Sequence, residues 1–442
     1  MMGAFATGCA STSFNVLDIN DLSADAPGET SFEGLEELAS RRSLTASRRI
    51  NILFLHGIGW VENPEEKPLA NNFIKGVAGA YDLQTDEKTV SSLCGRSSQD
   101  DSVIKQSRLF IKAEEPRTFF TTLPSRTLEL DRLVCMDRQV LSVKPDLKYV
   151  IYRVFWDEAM WNALQYAHVG QDDSEGDSRS FAELRRSMNR ALKDEFVNYG
   201  FSDAVMYMSP AGAEIRNAIR AAMCAAALDA AGAGFDKLGF ETTHEKACGY
   251  TTDLTFDLDP FAFVTESLGS KIALDVIREA MTDGTETVHD EMIRNTSVFM
   301  LANQIPLLSL TDIATEPPFR PSDYAPEERP TMIAFSEIND FLTYELVPFY
   351  EQLYKNTQMV AGADDGTLDT SDRTRMVDLL GFNAIDMRVE FASPLIPFIK
   401  SFVDPKFAHS GHVQQPEIMQ FILCGATNSE PTFEGCEIAD KP

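Results

Sequence analysis

A serine set between a short apolar run and a helical run is the first residue in this chain that invites chemistry. In PFAFVTESLGSKIALDVI, residues Pro260 to Thr265 read as a short buried strand and Leu268 to Met281 as a helix, with Ser267 at the turn. A sharp strand–turn–helix passage lifts the hydroxyl above the sheet, and the helix N-terminus aims its free backbone N–H groups at it. That arrangement suits nucleophilic attack on an acyl carbonyl. The turn needs small neighbours: Gly269 supplies one, but Thr265 stands where glycine is most usual. A serine in this place also serves as a plain helix N-cap, so the reading depends on partners elsewhere in the chain.

A nucleophilic serine needs a base, and the base needs an orienting acid. In TMIAFSEINDFLTYEL, Asp340 comes just past a strand at Thr331 to Phe335, and Glu337 is the competing acid. DPKFAHSGHVQQPEIMQFI carries two histidines ahead of a closing helix around Pro416 to Leu423. His409 is the expected base, because Ser410 and Gly411 then remain to turn the chain back into that helix. His412, closer to the helix start, is the alternative base. Of the other histidines, His56 lies in FLHGIGW (Phe54 to Trp60), after the apolar run Ile52 to Leu55. His168, His244 and His289 precede the acid and are expected to be structural or exposed.

VTESLGS resembles the V-T-H-S-L-G-S elbow of the esterase and lipase branch of the α/β-hydrolase superfamily, with Glu266 replacing histidine. FSEINDFLTY resembles the acid-bearing segment of that branch. AHSGH resembles its A-H-S-G-Y histidine segment, with His412 replacing tyrosine. The match is dispersed over about residues 50 to 425. The resemblance implies an α/β-hydrolase fold: a mostly parallel central sheet with helices on both faces and a helical cap insertion. It also implies that Ser267, His409 and Asp340 form a triad that hydrolyses esters or related acyl compounds through an acyl-enzyme, with no cofactor and no metal. The HG loop is expected to supply one oxyanion N–H, from Ile58 or its neighbour, and Leu268 the other. Trp60 and Trp156 are expected to wall an apolar acyl pocket, although buried aromatics are also plain core. A catalytically inactive binding or surface protein of the same fold is the alternative, with Glu266 beside the serine giving it room. A peptidase or thioesterase is a third, since fold and triad do not fix the leaving group.

The elements that must position these residues are legible in part. Lys148 to Trp156 is a second buried strand, and Ser297 to Ala302 and Thr331 to Phe335 are further ones. Ile385, Met387, Val389 and Phe391 alternate with polar residues and predict a half-exposed strand at a sheet edge. Strands alternating with helices argue for a mostly parallel sheet in one domain over 49–442. Residues 158–250 read as a helical insertion, with a capping box at Ser180 and Glu183 and a helix over about Ala211 to Ala231. Residues 82–147 are mixed, with weak periodicity, and residues 1–48 read as a mostly disordered polar leader.

The formal net charge of −29 over 442 residues disfavours nucleic acid as a partner, because such a surface repels phosphate. Seven cysteines are present and no CxxC pair, which argues against structural zinc. Cys9 follows Ala6-Thr7-Gly8 and looks like the end of a bacterial lipoprotein signal, though a basic segment and a full apolar segment before it are missing. Lipidation there would tether the protein to a membrane and leave six cysteines, an even number that suits the cell envelope or secretion; buried free thiols are the alternative. If the protein is exported, Cys424 and Cys436 are predicted to pair, closing a loop that contributes about 3 kcal/mol.

Overall fold

The computed structural model describes residues 14–22, 30–42, 48–57, 68–84, 107–114, 132–156, 202–234, 237–252, 258–283, 287–313, 324–357, 370–392 and 405–427, with a few shorter pieces between them. Ten strands make the main sheet: β1 (Asn15–Asp21), β2 (Arg48–Leu55), β3 (Arg108–Lys112), β4 (Arg132–Lys144), β5 (Leu147–Phe155), β6 (Glu241–Thr242), β7 (Phe261–Glu266), β8 (Ser297–Leu301), β9 (Thr331–Glu337) and β10 (Asn383–Glu390). Their order across the sheet is β1-β10-β9-β8-β7-β2-β5-β4-β3-β6. The central strands from β10 to β5 all run parallel. β4 and β3 extend one side as antiparallel neighbours, and β1 closes the other side antiparallel to β10.

Successive side chains of a strand point to opposite faces, and the parallel strands use both. Leu53, Phe263, Met300 and Ala334 pack on one face against α3 (Ala211–Ala230), α4 (Leu268–Asp283), α5 (Thr287–Ile293), α6 (Leu346–Thr357) and α7 (Thr370–Leu380). Their neighbours Ile52, Val264, Phe299 and Ile333 pack on the other face against α1 (Leu35–Arg42), α2 (Pro68–Ala80) and α9 (Pro416–Cys424). Double burial explains why the central strands are continuous apolar runs. Helices on both faces of a mostly parallel sheet make this a mixed α/β molecule.

Four expectations need correction or extension. The alternating strand β10 is not at the edge, because β1 pairs along it from Asn15 to Asp21. Its polar position Asp386 is fully buried and accepts the N–H groups of Leu346 and Val347 at 2.9 and 2.7 Å, so it caps α6. Residues 14–22 and 30–42 are part of the fold rather than leader: Leu22, Leu35 and Leu38 are buried in the two cores. The weakly periodic stretch 82–147 supplies β3 and β4 to the main sheet. α3 is not a cap either, since it lies directly on β2, β3, β4 and β5. Its alanines let the helix backbone approach the sheet closely, and Asp229, which interrupts the alanine-rich stretch, accepts from Arg138 and Tyr152 at 2.6 and 2.8 Å. The capping box at Ser180 and Glu183 lies outside the described residues.

Two disulfides join Cys94 to Cys135 and Cys224 to Cys248, with Cα atoms 5.9 and 5.1 Å apart. Cys424 is disulfide-bonded as well; Cys9 and Cys436 lie outside the described residues. Among the described residues, no helix is long and apolar enough to cross a membrane.

Candidate active site

β7 ends at Glu266 and α4 begins at Leu268, so Ser267 alone makes the turn. Its φ is +53°, a left-handed conformation that costs a non-glycine residue about 1–2 kcal/mol. Neighbouring backbone holds it there: the Ser267 N–H donates to Leu301 O at the end of β8 (2.8 Å), and Ser267 O accepts from the Ser270 N–H (3.0 Å). Thr265, in the position where glycine would be easier, is fully buried. Its hydroxyl hydrogen-bonds with Ser270 Oγ at 2.9 Å and lies 3.3 Å from Phe299 O, so the larger residue fits without an orphaned polar atom.

Two glycines let the HG loop close on this turn. A Cβ at Gly57 would run into the Ser267 side chain and stand 2.5 Å from Glu266 O; one at Gly269 would stand 2.7 Å from His56 O. The next residue, Ile58, the proposed oxyanion donor, lies outside the described residues, as does Trp60. Leu268 is the first residue of α4, where a backbone N–H has no intrahelical partner. Trp156 is wholly buried: its indole N–H donates to His56 O at 3.2 Å, and its ring stacks on the His56 imidazole at 5.6 Å. Its part is to hold the HG loop. Gly57→Ala is therefore expected to lower kcat about 100-fold or more through misplacement of the elbow, with little change in far-ultraviolet circular dichroism. Unchanged kcat would show that the loop tolerates the displacement.

His409 sits in the last turn of α8 (Pro405–Ser410). Its Nε2 is 2.9 Å from Ser267 Oγ, and its Nδ1 is 2.7 Å from Asp340 Oδ2. Asp340 also accepts the Leu342 N–H on Oδ1 at 3.0 Å and the Thr343 hydroxyl on Oδ2. Burial pushes this carboxyl up, but the hydrogen bond and charge of His409, with Thr343 and Leu342, outweigh it and hold Asp340 below the ordinary carboxylate range. Thr343 was not singled out from the sequence. Its signal was an aspartate followed three residues later by a hydroxyl, in a tight turn after a strand.

The two alternatives are placed elsewhere. Glu337 turns toward the chain beyond its own strand, accepting Asn339 N–H at 2.5 Å, Asn339 Nδ2 at 3.0 Å and Ala392 N–H at 3.3 Å. His412 is buried edge-on to Phe391, with Nδ1 at 3.2 Å from His409 O. Burial pushes its pKa down to about 4, so it is a neutral donor to the backbone of His409. Gly411 matters here because a Cβ would stand 2.5 Å from Phe407 O. Its φ of −83° makes no special demand, so close approach rather than a left-handed turn requires the glycine.

Glu266 stands next to Ser267 and is fully buried, and its Oε2 has no hydrogen-bond partner among the described residues. Burial, and secondarily the charge of Asp340, raises its pKa to about 8. The folded state therefore holds a proton that the unfolded chain releases above its ordinary value of 4.5. Stability from this group is fully present below pH 4.5, falls as pH rises and levels off above about 8. Glu266→Gln cannot ionise, so relative to wild type it is expected to gain on the order of a few kcal/mol between those limits. Urea melts at pH 4.5 and pH 8.5 check this; a pH-independent difference between the two proteins would refute it.

Taken together, the site can deprotonate a serine hydroxyl, hold the resulting imidazolium against a carboxylate and offer a helix N-terminus to a developing oxyanion. No protein-family model, no curated protein and no solved structure matches the chain, so these residues are read on their geometry alone.

Proposed function

We propose that the protein is a serine hydrolase of the α/β-hydrolase type that cleaves carboxylic esters through an acyl-enzyme. The observation that carries this reading is the continuous chain of hydrogen bonds from Ser267 Oγ to His409 to Asp340, beginning at a left-handed serine between strand and helix. Support also comes from the chain order Ser, Asp, His and from a central parallel sheet whose strand ends carry both the serine and the acid.

In the proposed mechanism His409 Nε2 takes the proton of Ser267 as Oγ attacks the acyl carbonyl. Asp340 fixes the imidazole through Nδ1 and stabilises the imidazolium without taking its proton. The Leu268 N–H and a donor from the loop after Gly57 bind the oxyanion, each such donor contributing about 3 kcal/mol to the transition state. His409 then protonates the leaving alcohol. The same imidazole activates a water that releases the acid and restores Ser267.

The test is turnover of p-nitrophenyl esters across a range of acyl lengths, with thioester and anilide analogues as competitors. Hydrolysis with an initial burst of p-nitrophenol is the expected result. Absence of turnover on every ester, with the protein folded, would favour a binding protein.

A further inference from the structure

Away from Ser267, a second cluster of reactive side chains lies wholly inside the molecule. Cys224 comes from α3, Cys248 from the short helix His244–Gly249 and His289 from α5. Cys224 and His289 are fully buried and Cys248 is 7% exposed. Their ligand atoms all lie within 4.8 Å of one another. We infer that these residues form a redox-gated zinc site: a disulfide when oxidised, and a Cys2His metal centre when reduced.

The histidine is the reason to read more than a cross-link. A disulfide needs no imidazole, yet His289 Nε2 lies 3.2 Å from Cys224 Sγ and 2.9 Å from the carbonyl oxygen of Arg220. That carbonyl is in turn 3.9 Å from Cys248 Sγ. A tetrahedral zinc with ordinary metal–sulfur and metal–nitrogen distances needs ligand–ligand edges of about 3.3–3.8 Å. The Cys224 Sγ–His289 Nε2 edge, at 3.2 Å, is just below that range, and every ligand atom of the cluster is within 4.8 Å of the others. The two sulfurs are bonded in the disulfide and must part to span such an edge. Two thiolates neutralise a divalent zinc, so the filled site places no net charge in the core, which a buried group otherwise resists. The sequence hides this site because its ligands are 24 and 41 residues apart, not paired as CxxC.

The exchange balances. A dithiol reductant forms its own disulfide as the Cys224–Cys248 bond takes two electrons and two protons. Zinc then displaces the two thiol protons, and His289 gives Nε2 to the metal by carrying its proton on Nδ1, releasing the Arg220 carbonyl. The disulfide joins α3 to the His244–Gly249 helix and leaves α5 held through the His289 hydrogen bonds; the metal state would ligate all three elements. None of the three residues contributes to the Ser267 site.

The full chain, oxidised or reduced with a phosphine, is titrated anaerobically with cobalt and then zinc. Reduced protein is expected to develop a thiolate-to-cobalt charge-transfer band and tetrahedral visible bands that zinc removes; oxidised protein is not. C94S/C135S should keep the bands, C224S/C248S should lose them, and His289→Ala should weaken cobalt binding on the order of tenfold or more. Protein made in a reducing cytoplasm gives an independent readout: about one zinc per chain by elemental analysis, absent from C224S/C248S and depleted in His289→Gln. Reduced, folded protein without these bands, or bands and zinc that persist in C224S/C248S, would overturn the proposal. If reduction or substitution unfolds the purified chain, the zinc content of the wild-type protein from the reducing cytoplasm decides it, and metal-free folded protein refutes it.

Discussion

Ser267→Ala is expected to lower kcat on a p-nitrophenyl ester by about 10,000-fold to 1,000,000-fold while leaving the protein folded. The substitution removes one oxygen, and with it one hydrogen bond to His409 Nε2. Loss of that bond changes stability by about 1 kcal/mol. Alanine also has to accept the left-handed φ of +53°, as serine does, and the Leu301 and Ser270 backbone contacts that impose it remain. The variant should therefore match wild type in circular dichroism and melt within a few degrees of it. The residual rate over water should come from the oxyanion donors, which the variant keeps. A kcat within tenfold of wild type would place the nucleophile elsewhere.

His409→Ala should cost several orders of magnitude in kcat, on the scale of the serine variant, because the base and the nucleophile act as one unit. The double variant should then be hardly slower than either single one. His412→Ala is expected to behave differently. It removes a buried ring packed on Phe391 and a donor to His409 O, so its main effect is on stability, about 2–4 kcal/mol. Its kcat should fall only about tenfold, through looser placement of the α8 turn. Steady-state kinetics and urea melts on the two variants separate these effects. A His412 variant as inactive as the His409 variant, but fully stable, would move the base to His412.

Much of the site is visible in the sequence because each part has a local signature. The apolar run before Ser267 and the helix after it mark the turn, and Asp340 follows a strand whose apolar residues are continuous. The sequence favours His409 over His412 on the room left for a turn at Gly411; the structure requires that glycine for a different physical reason, the approach of Phe407 O. What stayed hidden depends on contacts between distant segments. Trp156 and His56 are 100 residues apart, yet their stacking holds the HG loop. The pairing of β1 with β10 joins residues some 370 positions apart, and without a partner strand the alternation of β10 reads as an edge. In the sequence, α3 reads as part of a helical insertion because the helical block 158–250 falls between two core strands. Only the sheet beneath it shows why small side chains are needed there.

The most direct test of the account is labelling with a fluorophosphonate, followed by peptide mapping. An activated serine attacks phosphorus where an N-cap serine does not. The account predicts a single adduct on the peptide that contains Ser267, absent from Ser267→Ala and strongly reduced in His409→Ala. Folded wild-type protein that takes no label, or label that persists unchanged in Ser267→Ala, would contradict it.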